Sequence, residues 1–96
     1  MYTTDEIIQL LKVKKKELKK KYPISEMALF GSYARGDYNE KSDIDILVDF
    51  NDRIGIGYIA LAHELEDMFK IKVDLLSRKG IKPRYLSSIE NCLIHV

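Results

Sequence analysis

The chain has 96 residues, 46% of them apolar, with a formal net charge of +1. That length supports one modest core and not two, the apolar content excludes a disordered chain, and no apolar run approaches the roughly 20 residues that span a bilayer. The single cysteine, Cys92, rules out an internal disulfide framework and a zinc cluster, and the near-neutral balance argues against strong non-specific nucleic-acid binding. The acidic start, Met1 to Glu6, lacks a secretory pattern. One cytoplasmic domain over residues 1–96, with no membrane partner and no nucleic-acid partner, is therefore expected.

In chain order, residues 4–21 read as a helix: Thr4 can cap it, Ile7, Leu11 and Leu18 recur at helical spacing, and Pro23 stops it. Its second half, Lys12 to Lys21, is markedly basic. It reads as the solvated face of an amphipathic helix, with a nucleic-acid or partner-docking face as the alternative. Met27 to Phe30 is a short strand ending at Gly31, Ser32 to Arg35 begin a short helix, and Asp37 to Lys41 form a polar loop. Ile44 to Phe50 is a second strand. Asn51 to Gly57 connect it to a helix carrying Tyr58, Leu61, Ala62, Leu65, Met68 and Phe69 on one stripe. Gly55 and Gly57 do not complete a dinucleotide-binding fingerprint. Lys72 to Leu76 is a third strand, Pro83 opens a helix over about 83–91, and Cys92 to Val96 form a closing strand. The order α-β-(α)-β-α-β-α-β implies an α/β or α+β fold, a small sheet flanked by helices.

Two acids, Asp43 and Asp45, interrupt what otherwise looks like a buried strand, and charged side chains are rarely buried unpaired. Alternation puts both on one face, roughly 6.6 Å apart at about 3.3 Å per residue, with Ile44 and Ile46 on the other. Asp74 stands in a second apolar strand, and in-register pairing of the two strands makes three carboxylates converge. Two carboxylates 5–6 Å apart repel by about 3 kcal/mol at an effective dielectric near 20. Either one of them takes up a proton or a divalent cation neutralises the group. Gly31 and Ser32 add a second signal. A glycine at a strand end admits a ligand close to the backbone, the turn that follows offers N–H groups and a hydroxyl to phosphate oxygens, and Arg35 can neutralise a phosphate.

Gly31-Ser32, ten residues, then Asp43-Ile44-Asp45 resembles the signature of the minimal nucleotidyltransferase family, a compact branch of the polymerase-beta-like superfamily, and Asp74 in Val73-Asp74-Leu75-Leu76 matches the family's third acid. The resemblance implies a polymerase-beta-like nucleotidyltransferase fold. It also implies transfer of a nucleotide monophosphate, AMP from ATP, to an acceptor hydroxyl with release of pyrophosphate, supported by Mg²⁺, two ions being expected. Asp43, Asp45 and Asp74 would be the catalytic and metal-holding acids. Gly31, Ser32 and Arg35 would hold the nucleotide. Small members resemble antitoxins paired with helical HEPN-type toxins, whose tyrosine is the acceptor; the alternative is a binding module that silences its partner by occlusion. Few residues remain for an acceptor-binding domain, so the acceptor surface is expected from another subunit, in a homo- or hetero-oligomer.

Of the remaining candidates, His63, Asp49 and Asp52 read as solvent-facing and Cys92 as a small core residue. Tyr33 and Tyr38 flank the site and read as packing residues before base-stacking ones.

Overall fold

The computed structural model describes all 96 residues. Helix α1 (Thr4–Leu18) leads to strand β1 (Ile24–Phe30), a one-turn helix α2 (Gly31–Arg35), strand β2 (Ile44–Phe50), helix α3 (Gly57–Phe69) and strand β3 (Val73–Ser77). A 3-10 turn (Arg78–Gly80), helix α4 (Pro83–Glu90) and strand β4 (Ile94–His95) complete the chain. The four strands form one mixed sheet in the order β3-β2-β1-β4. The hairpin partners β1 and β2 are antiparallel, β4 runs antiparallel to β1, and β3 runs parallel to β2 through the α3 crossover.

Sequence periodicity explains the layers. Ile7, Leu11 and Leu18 of α1 and Leu61, Leu65 and Phe69 of α3 recur on one side of each helix, and all are buried. They join Met27, Leu29, Ile44, Ile46, Val48 and Phe50 from the sheet in one core cluster. Each such side chain contributes about 1.5–3 kcal/mol on burial. The opposite face of β2 carries Asp45, Leu47 and Asp49, because side chains alternate along a strand.

Several boundaries differ from the expectations above. Thr3, not Thr4, caps α1: its hydroxyl accepts from the Glu6 N–H, and the Glu6 carboxylate accepts from the Thr3 N–H at 2.8 Å, a reciprocal capping box. The Thr4 hydroxyl instead donates to the carbonyl of Tyr33 at 2.5 Å, fastening the start of α1 to α2. The helix ends at Leu18 rather than at residue 21, because Lys20 and Lys21 bond back to Glu17 and Leu18 in three-residue turns ahead of Pro23. Strand β1 begins earlier, at Ile24, with an irregularity in its pairing between Ile24 and Glu26. The closing strand shrinks to two residues. Cys92 is half-buried and lies outside the core cluster, and Asp49 is half-buried rather than solvent-facing, its carboxylate accepting the Phe50 N–H at 3.0 Å. Asp52 and His63 are exposed as expected.

Candidate active site

The site lies where β1 ends and where β2 and β3 begin. Because β2 and β3 are parallel and in register, Asp45 and Asp74 stand directly opposite each other on adjacent strands. Asp43 sits one residue ahead of β2, beside the point where the Ile44 N–H donates to the Lys72 carbonyl at 3.0 Å. On the other side of β2, Phe30 pairs with Asp45, and the chain then turns at Gly31 with φ of +73°. This conformation favours glycine. Space demands it as well, since a β-carbon at position 31 would stand 2.0 Å from Asp45 Oδ2 and 2.8 Å from its Cγ. The Gly-Ser turn and the Asp-x-Asp strand are thus in direct van der Waals contact, across thirteen residues of sequence.

Burial pushes the Asp45 carboxyl up to about 6, and the negative charges of Asp74 and Asp43 add to the rise while the Arg35 guanidinium opposes it. Three acids therefore share one field, centred on Asp45. Arg35 is half-exposed and donates from Nε to Asp37 Oδ2 at 3.2 Å. No side chain caps the start of α2, so its first N–H groups have no side-chain acceptor.

Tyr33 is buried and stacks on Tyr38, with ring centroids 4.4 Å apart and an interplanar angle of 15°. Packing is therefore what these two rings do. The stack pins the spacer loop between Ser32 and Asp43, which is further closed by the Asn39 N–H on Ser42 Oγ and the Lys41 N–H on Asn39 Oδ1.

Two residues at the site escape a reading by motif. Lys72 Nζ lies 3.9 Å from Asp43 Oδ2, and the alternation of β3 was the signal for it, two positions ahead of Asp74. The Tyr58 hydroxyl donates to the Leu75 carbonyl, and burial together with the Asp74 charge raises its phenol above the ordinary value. Nothing local in the sequence distinguishes Tyr58 from the apolar stripe it belongs to.

The acids do not form a finished metal cage. No group of three His, Cys, Asp or Glu side chains stands close enough together to hold a metal ion. The expected convergence is therefore looser than alternation alone implies, because Asp43 lies outside the strand and faces Lys72, and Asp74 is exposed. The donor chemistry still fits magnesium: every acidic ligand is a hard oxygen, and Mg²⁺ is commonly held by one or two carboxylates plus substrate phosphates. The three acids line no cavity. The largest cavity, about 620 Å³ and walled by Tyr2, Tyr33 and Phe69, includes none of them, and neither do the three smaller ones.

Comparison with known proteins bears directly on this arrangement. Residues 11–96 match the family model described as a nucleotidyltransferase domain. A Methanocaldococcus jannaschii protein assigned as a protein adenylyltransferase is 45% identical over 98 residues, covering 100% of both chains. A solved structure described as a minimal nucleotidyltransferase superposes with a TM-score of 0.80 at 26% identity, over 97% of this chain and 95% of that one. A chain of the solved complex of a tri-AMPylated Shewanella oneidensis HEPN toxin with MNT antitoxin is similar at TM-score 0.68 and 26% identity, over 91% of this chain and 69% of the other. With its mixed sheet, its Gly31-Ser32 turn against Asp45 and its matching sequence, the chain belongs to the nucleotidyltransferase domain family, in the minimal nucleotidyltransferase branch, and is an enzyme of that class.

Proposed function

We propose that the chain, acting as one unit over residues 1–96, transfers AMP from ATP to a hydroxyl of a partner protein. The acceptor is a tyrosine of a HEPN-type toxin, which makes this protein its antitoxin. The observation that carries this reading is the contact of the Asp45 carboxylate with Gly31, beside Asp74 on the next strand. It brings a phosphate-accommodating turn and an acid pair to one point. The relatives supply the acceptor class, one by its assignment as a protein adenylyltransferase and one as an MNT antitoxin in complex with an AMPylated HEPN toxin. Our reading puts the reaction in the cytoplasm, where ATP is available as donor; no helix is long and apolar enough to cross a membrane.

In this scheme the N–H groups at the start of α2 and the Ser32 hydroxyl donate to the β- and γ-phosphates, and Arg35 offsets their charge. Gly31 lets the triphosphate approach the backbone. Asp43 and Asp45, with Asp74, would hold Mg²⁺, which supplies charge neutralisation on the triphosphate. The acceptor O–H gives its proton to Asp74, its oxygen bonds to the α-phosphorus, and the bond to the bridging oxygen breaks as pyrophosphate leaves. Because the acids line no cavity of this chain, the reading has the acceptor carried in on another molecule, which is why a second subunit is part of it.

The test is incubation of the chain with α-labelled ATP, Mg²⁺ and the helical protein encoded beside it. Label appears on a partner tyrosine, and Asp45→Asn lowers its transfer at least 10²-fold. Inhibition of the partner with no label on it indicates occlusion instead, and undiminished transfer by Asp45→Asn overturns the assignment of the acid.

A further inference from the structure

The charge on this molecule is divided. Residues 12–21 hold seven lysines and one glutamate, a net of +6, so a chain of net charge +1 carries −5 on all its other residues together. The seven lysines are not equivalent. Lys14 and Lys21 face α3 and are neutralised there, Lys21 Nζ lying 2.8 Å and Lys14 Nζ 3.9 Å from Glu64 Oε1, with Glu17 joining both. On the other flank, Lys12, Lys15, Lys16 and Lys19 line a groove of about 380 Å³ against Val96 at the end of the sheet's β4 edge. None of these four has an acidic side chain within ion-pair distance, and Lys15 donates only to the Val96 carbonyl, at 2.7 Å. Their spacings of three, four and seven residues stack them on one helix face, where like charges repel. The same sequence placed glutamates opposite the lysines of the other flank and none here.

We propose that this groove binds the phosphate backbone of a nucleic acid, a function separate from nucleotidyl transfer, for which a single-stranded RNA serves as the probe. Lysine is the only charged residue type in the groove. Protein interfaces are depleted in lysine and enriched in arginine and aromatic residues, so an acidic protein surface is the poorer match. Lysine binds phosphate as a point charge, without the fixed geometry of the arginine fork. The groove is lined by lysines and Val96, with no aromatic side chain to stack on a base, so binding is independent of sequence. The low net charge of the whole chain keeps the affinity modest and confines it to this flank.

The test is fluorescence anisotropy with a labelled single-stranded RNA of about 15 nucleotides, across a range of salt. Four lysines predict a slope of log K against log salt of about −2.8, an affinity loss of about 50-fold between roughly 50 and 200 mM salt. Lys12→Gln, Lys16→Gln and Lys19→Gln together reduce the slope to about −0.7 and leave little binding at low salt. The variant melts no lower than the parent, since all three side chains are exposed and their loss relieves like-charge repulsion, and nucleotidyl transfer stays as in the parent, the groove lying at the β4 edge of the sheet and Asp74 on the opposite edge strand β3. Lys41→Gln with Lys82→Gln, exposed lysines elsewhere, serves as the control and changes nothing. The proposal is overturned by salt-insensitive binding, by equal binding of the triple variant, or by a chain that ignores RNA but binds vesicles containing phosphatidylserine or an acidic protein through the same lysines.

Discussion

Gly31→Ala tests the contact on which the site is built. Two costs add in this variant. A side chain at φ of +73° enters the left-handed region, at about 1–2 kcal/mol for a residue with a β-carbon. The new methyl also meets Asp45 at 2.0 Å from Oδ2, 2.8 Å from Cγ and 3.1 Å from Cβ, so the root of the side chain must give as well as its tip. Overpacking of this kind costs about 1–3 kcal/mol, which brings the whole to about 2–5 kcal/mol. In an Asp45→Ala background the two nearest atoms are gone, and the backbone cost of about 1–2 kcal/mol remains with only the milder contact on Cβ at 3.1 Å. A double-mutant cycle in urea therefore gives a coupling energy of about 1–3 kcal/mol between positions 31 and 45. Costs that add to within about 0.5 kcal/mol would refute the contact. Transfer by the folded fraction of Gly31→Ala falls about 10²-fold, the effect of moving a reacting group by roughly 1 Å.

The elevated Asp45 carboxyl makes stability depend on pH in a stated direction. Its value rises from an ordinary 3.8 to about 6 in the folded chain, so between those limits the folded state holds the proton that the unfolded state has lost. Stability is thus greatest below pH 3.8 as far as this group is concerned, falls as pH rises to about 6, and is level above it. A wholly buried group would lose about 3 kcal/mol; solvent screening of this half-exposed one leaves about 1–2 kcal/mol. Asp45→Asn removes that loss, so in chelator-treated buffer at pH 7.5 it melts about 4–16 °C above the parent, with the gap closing near pH 4. A variant that melts lower than the parent at pH 7.5 contradicts the account. Thr3→Ala breaks the capping box and costs about 1 kcal/mol by urea unfolding with transfer unchanged, whereas an equal loss from Thr4→Ala with none from Thr3→Ala would return the cap to Thr4.

The legibility of the fold tracked the strength of local pattern. Strand β2 was read to the residue because apolar side chains fill both its faces beyond Asp45, and α3 because its stripe repeats over more than three turns. For α1 the start at residue 4 was read correctly, but its cap was misplaced by one residue and its finish by three. Two adjacent threonines are equivalent caps in sequence, and only the nearness of the Tyr33 carbonyl draws Thr4 away. At its other end, helical propensity continues through Lys19 to Lys21, and the turn into Pro23 is what stops it.

For the site, the sequence by itself singled out the candidate side chains: a glycine and serine ending one strand, two acids at strand alternation, and a third in a separate strand. It also determined the lysines of α1, but not which of them are already spent. The tertiary structure decided the register that sets Asp45 opposite Asp74, the seating of the Asp45 carboxylate on Gly31, the pairing of Asp43 with Lys72 and the division of α1 into a neutralised flank and an unpaired one. The physical reason is one of range. Alternation and helical periodicity act over a few residues and are written in the chain, whereas field strength and steric exclusion act through space between residues that only the sheet brings together.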